Sequence, residues 1–233
     1  MLCQFTVKNY KSIRDEATFD MQAAAISEHE DRIIKDQDGE MYLPVSAIYG
    51  PNGGGKSNVL AALHTLVAKI LRPLYATEDN EDKVLLQKRI IVEPFAFSDS
   101  KNEPTKFELY FRTKSAEYRY ILHVKRDVVI YESLDRVKLE TGRRSALYTR
   151  DDKGIVLKGA FAKLKVSDDL SKTLTLLSYL GIAYKENVVV KDVLNWFEFG
   201  VDFLNYGNPI QELRMAISTS EDVKHLMLEM IQE

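Results

Sequence analysis

A glycine-rich turn between an apolar run and an amphipathic stretch is the feature that most constrains this chain. Residues 50–57 read Gly-Pro-Asn-Gly-Gly-Gly-Lys-Ser and meet the pattern G-x-x-x-x-G-K-[ST]. The apolar run over residues 42–50 is typical of a buried parallel strand. After Lys56, apolar residues recur at helical spacing as far as Pro73, where the helix is expected to end. The sequence therefore predicts a strand, a loop and a helix in direct succession.

Such a loop is suited to binding phosphate groups. Glycines let consecutive backbone N–H groups turn inward, and the start of the following helix adds partial positive charge. In this pattern Lys56 reaches the β- and γ-phosphates of a nucleotide, and the Ser57 hydroxyl ligates Mg²⁺. We therefore expect a site for a magnesium-bound nucleotide.

The other residues before position 169 are predicted to be rich in β-structure. Residues 2–9 alternate as a strand with one apolar face, and residues 17–21 are a candidate antiparallel partner. Residues 27–41 are polar and indicate a surface loop. An antiparallel meander is expected over residues 89–99, 105–113, 116–126 and 127–139. Its clearest member places Tyr118, Tyr120, Leu122 and Val124 on one face.

From about residue 169 the pattern becomes helical. Residues 170–184 and 189–204 carry apolar residues at helical spacing, and Ser218–Glu221 form a capping box before a last amphipathic segment. We therefore expect an α/β fold. Residues 1–168 would form a nucleotide-binding lobe with the loop and the meander, and residues 169–233 a helical subdomain that begins an insertion.

Composition narrows the class of protein without naming it. Of 233 residues, 45% are apolar and 29% are charged, which is the composition of a globular protein. The net charge of −3 gives no overall basic field for nucleic acid. The single cysteine, Cys3, fits a reducing compartment, as a half-buried hydrophobe on the first strand. There is no signal peptide or long apolar run, so a cytoplasmic protein without membrane contact is expected.

The loop and the first strand resemble those of ABC-type ATPases of the SMC, RecF and OLD kind. Those proteins carry GxNGxGKS/T, and they open with a strand similar to Val7–Ile13. The resemblance implies that Lys11 and Ser12 lie beside the nucleotide, whereas the alternative for Lys11 is an exposed lysine at a strand end. The expected nucleotide contacts are Lys11, Ser12, Asn52, Gly53, Gly54, Gly55, Lys56, Ser57 and Asn58, with Lys56 in the catalytic role and Ser57 as the metal ligand.

Three further motifs are similar to the bacterial OLD-like group called AAA family ATPases. They are Pro94–Phe95, Pro104–Glu108 and Tyr118–Tyr120, so the resemblance covers nearly the whole chain. It implies an ABC-type P-loop lobe that binds ATP and Mg²⁺. It also implies hydrolysis between two nucleotide domains, in a homodimer or higher oligomer. Relatives in this group often act with a nuclease or another effector in phage defence or DNA maintenance.

Two parts that such an ATPase needs are not recognisable. A Walker B strand ends in Asp-Glu, but Tyr131–Glu132 stands after one apolar run and Gly200 interrupts another. Residues 176–181 have only letters of the signature motif, around Ser178, and Gln87 is the nearest lid glutamine. One explanation is that the chain is the N-terminal part of a longer protein, which the unfinished last helix favours. The other is a protein that relies on a second chain for hydrolysis.

Other functions stay open at this point. The chain could be an ATP sensor that does not hydrolyse the nucleotide. A GTP switch would need a guanine-reading motif, of which only Lys191–Asp192 is present. The histidines have no metal-ligand spacing. A basic cluster indicates either a solvated hairpin or a contact to a nucleic-acid backbone, and it consists of Arg136, Lys138, Arg143, Arg144 and Arg150.

Overall fold

The structure, a computed structural model, describes residues 1–24, 30–76, 90–97, 99–167 and 169–203. The chain divides into two compact units, Met1–Val201 and Asp202–Glu233. Only residues 202 and 203 of the second unit are described, so the architecture below is that of the first. The predicted capping box, the last helix and Gln87 lie outside the described residues. The division at residue 168 stays a prediction.

A seven-stranded antiparallel sheet is the main element of the first unit. The strands are β1 (Leu2–Lys8), β2 (Ala17–Asp20), β3 (Ile34–Lys35), β4 (Met41–Tyr42), β5 (Thr105–Arg112), β6 (Ala116–Lys125), β7 (Val128–Lys138), β8 (Arg144–Asp151) and β9 (Gly154–Leu157). Their order in the sheet is β2-β1-β5-β6-β7-β8-β9, and β3 and β4 form a separate hairpin. Of the four strands predicted for the meander, the last three are present as β5, β6 and β7, and β1 and β2 lie at the edge beside β5.

The alternation of β6 decides which face of the sheet is buried. Tyr118, Tyr120, Leu122 and Val124 are fully buried, whereas the residues between them are partly exposed. Antiparallel pairing continues this pattern across the sheet, since Tyr120 lies opposite both Leu109 of β5 and Leu134 of β7. The prediction from period-two alternation is confirmed for this strand.

Three α-helices lie in the described residues: α1 (Lys56–Tyr75), α2 (Leu176–Ala183) and α3 (Val188–Phe199). α3 packs its aromatic residues on the sheet, because Phe111 of β5 lies 4.3 Å from Trp196 and 5.4 Å from Phe197 between ring centroids. Both α3 residues therefore belong to the core. Asn187 caps α3 by accepting from the backbone N–H groups of Val189 and Val190.

The expected end of α1 at Pro73 is wrong, because the helix continues to Tyr75. A proline this close to a C-terminus interrupts few backbone hydrogen bonds, so its cost is small there. Packing also holds the last turn. A Cβ atom on Gly181 of α2 would lie only 2.7 Å from a terminal methyl group of Leu74. The absence of a side chain at Gly181 therefore lets α1 and α2 approach closely.

Two predicted strands are absent from the described residues. Residues 43–50 form no strand, and Val45 and Tyr49 are 78% and 89% exposed. Residues 90–97 are likewise irregular. A strand requires a neighbour for its backbone hydrogen bonds, and no described strand pairs with residues 43–50. An apolar run alone therefore did not decide the local structure.

His123, on the open face of the sheet, makes the stability of the fold depend on pH. Burial and the nearby Lys106 lower the pKa of His123 to about 4. An unfolded histidine has a pKa of about 6.5, so between pH 6.5 and 4 the unfolded state binds the proton more readily. We expect the free energy of unfolding to fall as the pH is lowered from 6.5 to 4, and to fall less steeply in His123→Gln. Denaturant unfolding at pH 7 and 4.5 measures this, with the exposed His64→Gln as control. Equal slopes in wild type and His123→Gln would contradict the prediction.

Within the described ranges, no helix is both long enough and apolar enough to cross a bilayer.

Cys3 is buried on β1, and burial raises the pKa of its thiol to about 11. The thiol is therefore inert near neutral pH.

Candidate nucleotide-binding site

The glycine-rich loop forms a tight turn directly before α1. Gly53 and Gly55 have φ angles of 80° and 86°, in the left-handed region that favours glycine. Gly54 has no such angle, but its Cβ would lie 3.0 Å from the Pro51 carbonyl oxygen, to which the Gly54 N–H donates. Larger side chains would therefore disturb this turn at three successive positions, as expected for a loop that brings its backbone close to a phosphate.

The start of α1 is open to an anion. Gly55 is its N-cap residue, and among the described residues no side chain caps it and no acidic side chain occupies its first turn. The first backbone N–H groups of a helix have no partner within the helix, and the helix dipole is positive there. A helix of 20 residues that begins in this way has the properties of an anion site.

Lys56 places its ammonium group at the loop. Its Nζ donates to the carbonyl oxygens of Gly50 at 2.6 Å and Pro51 at 2.8 Å. The side chain thus folds back over the loop that precedes it. Since this loop and the helix start also hold the free N–H groups, the positive charge lies where the phosphates of a nucleotide would bind.

The other predicted loop residues lie within the same turn or the first turn of α1. Asn52 and Ser57 are exposed, so the Ser57 hydroxyl is accessible as a metal ligand. Asn58 is half-buried and donates from Nδ2 to Ser12 Oγ at 2.6 Å. That these residues contact ATP and Mg²⁺ stays a prediction.

The turn after β1 lies against the loop. Tyr10 and Ile13 exchange backbone hydrogen bonds of 2.8 and 2.7 Å, which fold residues 10–13 into a tight turn. A Cβ atom on Gly55 would lie 3.0 Å from Ser12 Oγ, and Asn58 binds the same oxygen. The structure thus brings the sequence-predicted Ser12 beside the loop. Lys11 is exposed, and its ammonium group lies 5.4 Å from the centre of the Tyr10 ring.

Sequence reasoning missed two residues that hold this turn. The Tyr10 hydroxyl makes hydrogen bonds with the Ala61 carbonyl oxygen and the Thr65 hydroxyl, which fix the turn to α1. Asn9 is 1% exposed, and its side chain binds Phe95 and Ser100 in the segment before β5. In the sequence, these two residues were marked only by their place in Val7–Ile13, the segment similar to the first strand of the ABC-type ATPases.

The weak candidates for the missing catalytic motifs are buried structural residues. Glu132 is 0% exposed and accepts from the backbone N–H groups of Leu176 and Leu177, at the start of α2. Burial raises the pKa of Glu132, and these two N–H groups oppose that rise. Ser178 is also fully buried and donates to the Ile70 carbonyl oxygen. Neither side chain is exposed to a ligand, and both are used in contacts within the fold.

The candidate guanine motif has a structural role too. The Asp192 carboxylate accepts from the hydroxyl groups of Thr113, Ser115 and Tyr118, which joins α3 to β5 and β6. A carboxylate with three hydroxyl partners is not available to read a guanine base. The structure therefore gives no support to a GTP switch.

The basic cluster divides into internal and exposed members. Arg150 is 8% exposed and donates to the carbonyl oxygens of Ser171 and Leu174. Arg136 lies over the Tyr118 ring, at 5.8 Å from its centre. The exposed members are Lys138, Arg143 and Arg144, near the turn between β7 and β8.

The residues at the loop fit a nucleoside triphosphate with a divalent cation. A loop with three glycines of positive φ, an open helix start and one ammonium group supply phosphate contacts, while Ser57 supplies a hydroxyl. Elsewhere in the described part of the chain, no group of three or more His, Cys, Asp or Glu residues could hold a metal ion. Mg²⁺ is often bound through one or two protein oxygens together with phosphate and water, which fits the single Ser57 hydroxyl at the loop.

Comparison with known proteins agrees with this geometry. Residues 45–204 match the model of a family described as "AAA domain, putative AbiEii toxin, Type IV TA system". A search of curated proteins gave no match. The match spans more than half of the chain and includes the loop, the meander and the three helices. The chain therefore belongs to this AAA-domain family of P-loop ATPases.

Proposed function

We propose that this chain is the ATP-binding part of an ABC-type ATPase of the SMC, RecF and OLD-like group. The observation that carries the proposal is the turn at Tyr10–Ile13, which lies against Gly55 and Asn58 of the loop. A P-loop alone indicates nucleotide binding in general. An N-terminal turn beside the loop, together with an antiparallel meander, is what the resemblance to this group implies.

In the proposed site, residues 52–58 hold the phosphates of ATP through the Lys56 ammonium group and through those backbone N–H groups that are not already bonded to Pro51 or Gly55. Ser57 ligates Mg²⁺, and Lys11 and Ser12 approach from the turn after β1. The positive charges of Lys56 and Lys11 offset the charge of the triphosphate. These assignments rest on the loop geometry and on the position of Ser12 beside Gly55.

Hydrolysis is proposed to need residues outside the described part of this chain. Glu132, the best local candidate for a catalytic carboxylate, is buried and used by α2. The exposed apolar side chains of Val45 and Tyr49 also fit a segment that another part of the intact protein covers. We propose that ATP then binds between two nucleotide domains of a homodimer or higher oligomer, and that its hydrolysis drives an effector.

The biological setting is proposed from family likeness alone. The likeness to OLD-like proteins implies a role in phage defence or DNA maintenance, in the cytoplasm, with a nuclease or another effector as partner. The family description itself names a toxin of a type IV TA system. The exposed Lys138, Arg143 and Arg144 would be the basic residues available to contact a nucleic-acid backbone.

A non-hydrolysing ATP sensor is the second candidate function. The burial of Glu132 favours it, because it leaves this chain without its best candidate for activating water. In that case ATP would stabilise an assembly without being consumed. The two candidates differ in whether a catalytic carboxylate is supplied in the intact protein.

Binding and turnover on the 233-residue chain test the proposal. We expect calorimetry with Mg²⁺ to show ATP binding that GTP displaces poorly, and we expect no phosphate release in the same samples. A chain that fails to bind ATP would contradict the proposed function. Steady phosphate release would instead place a catalytic carboxylate within this chain and would overturn the proposal that hydrolysis needs residues from elsewhere.

A further inference from the structure

We infer that Asn9 is a positioning residue for the nucleotide site. It would act by fixing the turn that carries Lys11 and Ser12 beside the loop, without touching the nucleotide itself. This inference rests on the proposed function, since it assigns a role within the same site. It goes further because it connects the segment before β5 to nucleotide binding.

The side chain of Asn9 makes an unusual number of hydrogen bonds. Its Nδ2 donates to the carbonyl oxygens of Ser100 at 2.7 Å and Glu103 at 3.0 Å, with Pro104 at 3.4 Å. Its Oδ1 accepts from the Phe95 N–H at 3.0 Å. Among neutral side chains, an amide is the one that combines an NH₂ group with two donors and a separate acceptor oxygen. Asn9 thus holds the segment before β5 from both sides.

The backbone of Asn9 joins the same contacts. Its carbonyl oxygen accepts from the Thr105 hydroxyl at 2.6 Å, inside the core. Two residues further on, the Lys11 N–H donates to the Glu93 carbonyl oxygen at 2.9 Å. The segment that Asn9 holds therefore also holds the backbone of Lys11. A change at Asn9 would be transmitted to Lys11 through this short path.

The turn has backbone angles that require such support. Asn9 and Lys11 have φ angles of 57° and 48°, which L-residues adopt at a cost. Strained residues of this kind persist when the surrounding contacts fix them. Here the contacts are the Asn9 side chain on one side and, on the other, the bonds of Tyr10 to α1 and of Asn58 to Ser12.

The position of the turn explains why this matters for a ligand. Ser12 is close enough to Gly55 that a Cβ atom there would lie 3.0 Å from its hydroxyl oxygen. A displacement of the turn would move Ser12 away from the loop and Lys11 away from the phosphates. Misplacement of a charged group by about 1 Å is enough to weaken its action markedly.

Asn9→Asp and Asn9→Ala test the inference on the whole chain. Asp keeps the shape and the acceptor for Phe95 but loses every donor. We expect the Kd for MgATP to rise about tenfold in both variants, measured well below their melting temperatures. Tyr148→Phe is the matched control, because it removes one buried hydrogen bond to Glu132. It should lose stability without a change in the Kd for MgATP.

A mutant cycle that removes both positioned side chains separates positioning from general damage. Because Asn9 is inferred to act through Lys11 and Ser12, adding Asn9→Ala to the double variant Lys11→Ala with Ser12→Ala should weaken MgATP binding no further. Additive losses, or a Kd that changes no more than in Tyr148→Phe, would overturn the inference. Wild-type ATP binding is measured first, so that its absence is seen as failure of the proposed function itself.

A measurement on the wild type avoids any variant that does not fold. We expect MgATP to slow hydrogen exchange at the backbone N–H groups of Lys11 and Phe95, which bind Glu93 and Asn9. Slowed exchange at both groups supports the connection. Unchanged exchange at both, while the residues of the loop become protected, would contradict it.

Discussion

Replacing Glu132 by alanine is expected to lower the free energy of unfolding by about 3–5 kcal/mol. The carboxylate is fully buried and accepts from two backbone N–H groups at the start of α2. It also accepts from the hydroxyl groups of Tyr120 and Tyr148, with a guanidinium nitrogen of Arg150 at 3.9 Å. Without it, these donors would be buried with no acceptor, which costs far more than the loss of a single hydrogen bond.

Two variants make this prediction specific. Tyr120→Phe removes one donor and leaves the carboxylate in place, so we expect a loss of about 1 kcal/mol. Glu132→Gln keeps the volume, and its one oxygen can keep the three donors that Oε1 accepts, whereas its NH₂ group would face the Leu176 N–H, so its loss should lie between those of Tyr120→Phe and Glu132→Ala. Denaturant unfolding with intrinsic fluorescence measures all three. If Glu132→Ala loses no more than Tyr120→Phe, the carboxylate does not organise the start of α2.

The fold was predictable where one signal was strong and local. The alternation over residues 116–126 required a half-buried strand, and the structure has β6 there. The apolar run over residues 42–50 was equally clear, but its interpretation was wrong. A strand depends on a partner, and the sequence shows apolar character without showing what lies beside it. For the same reason, residues 90–97 were predicted as a strand and are irregular.

The candidate site could be predicted only in part. The Gly-Lys-Ser pattern locates the loop, since each residue type has its own chemical reason to be there. Asn9 and Glu132 carry no such pattern. An asparagine at a strand end and a glutamate in a strand look like solvated polar residues in sequence. Their roles appear only when distant segments meet, because Asn9 binds residues more than 80 positions away and Glu132 binds residues 44 and 45 positions away.

Replacing Lys56 by alanine is expected to weaken MgATP binding by about 100-fold or more, equivalent to about 2.7 kcal/mol. The ammonium group lies at the loop, bonded to the carbonyl oxygens of Gly50 and Pro51. No other ammonium group in the described residues is bonded to this loop, so its loss leaves the triphosphate charge poorly compensated.

Stability distinguishes this effect from damage to the fold. Lys56 makes two bonds within its own loop, at the exposed start of α1, so we expect Lys56→Ala to change the free energy of unfolding by no more than about 1 kcal/mol. Lys163→Ala removes the same charge from an exposed lysine and should bind MgATP as the wild type does. Calorimetric titration of the three proteins with MgATP decides the matter. If Lys56→Ala binds as tightly as Lys163→Ala, the phosphates do not lie at this loop, and the assignment of residues 50–57 as the nucleotide site is wrong.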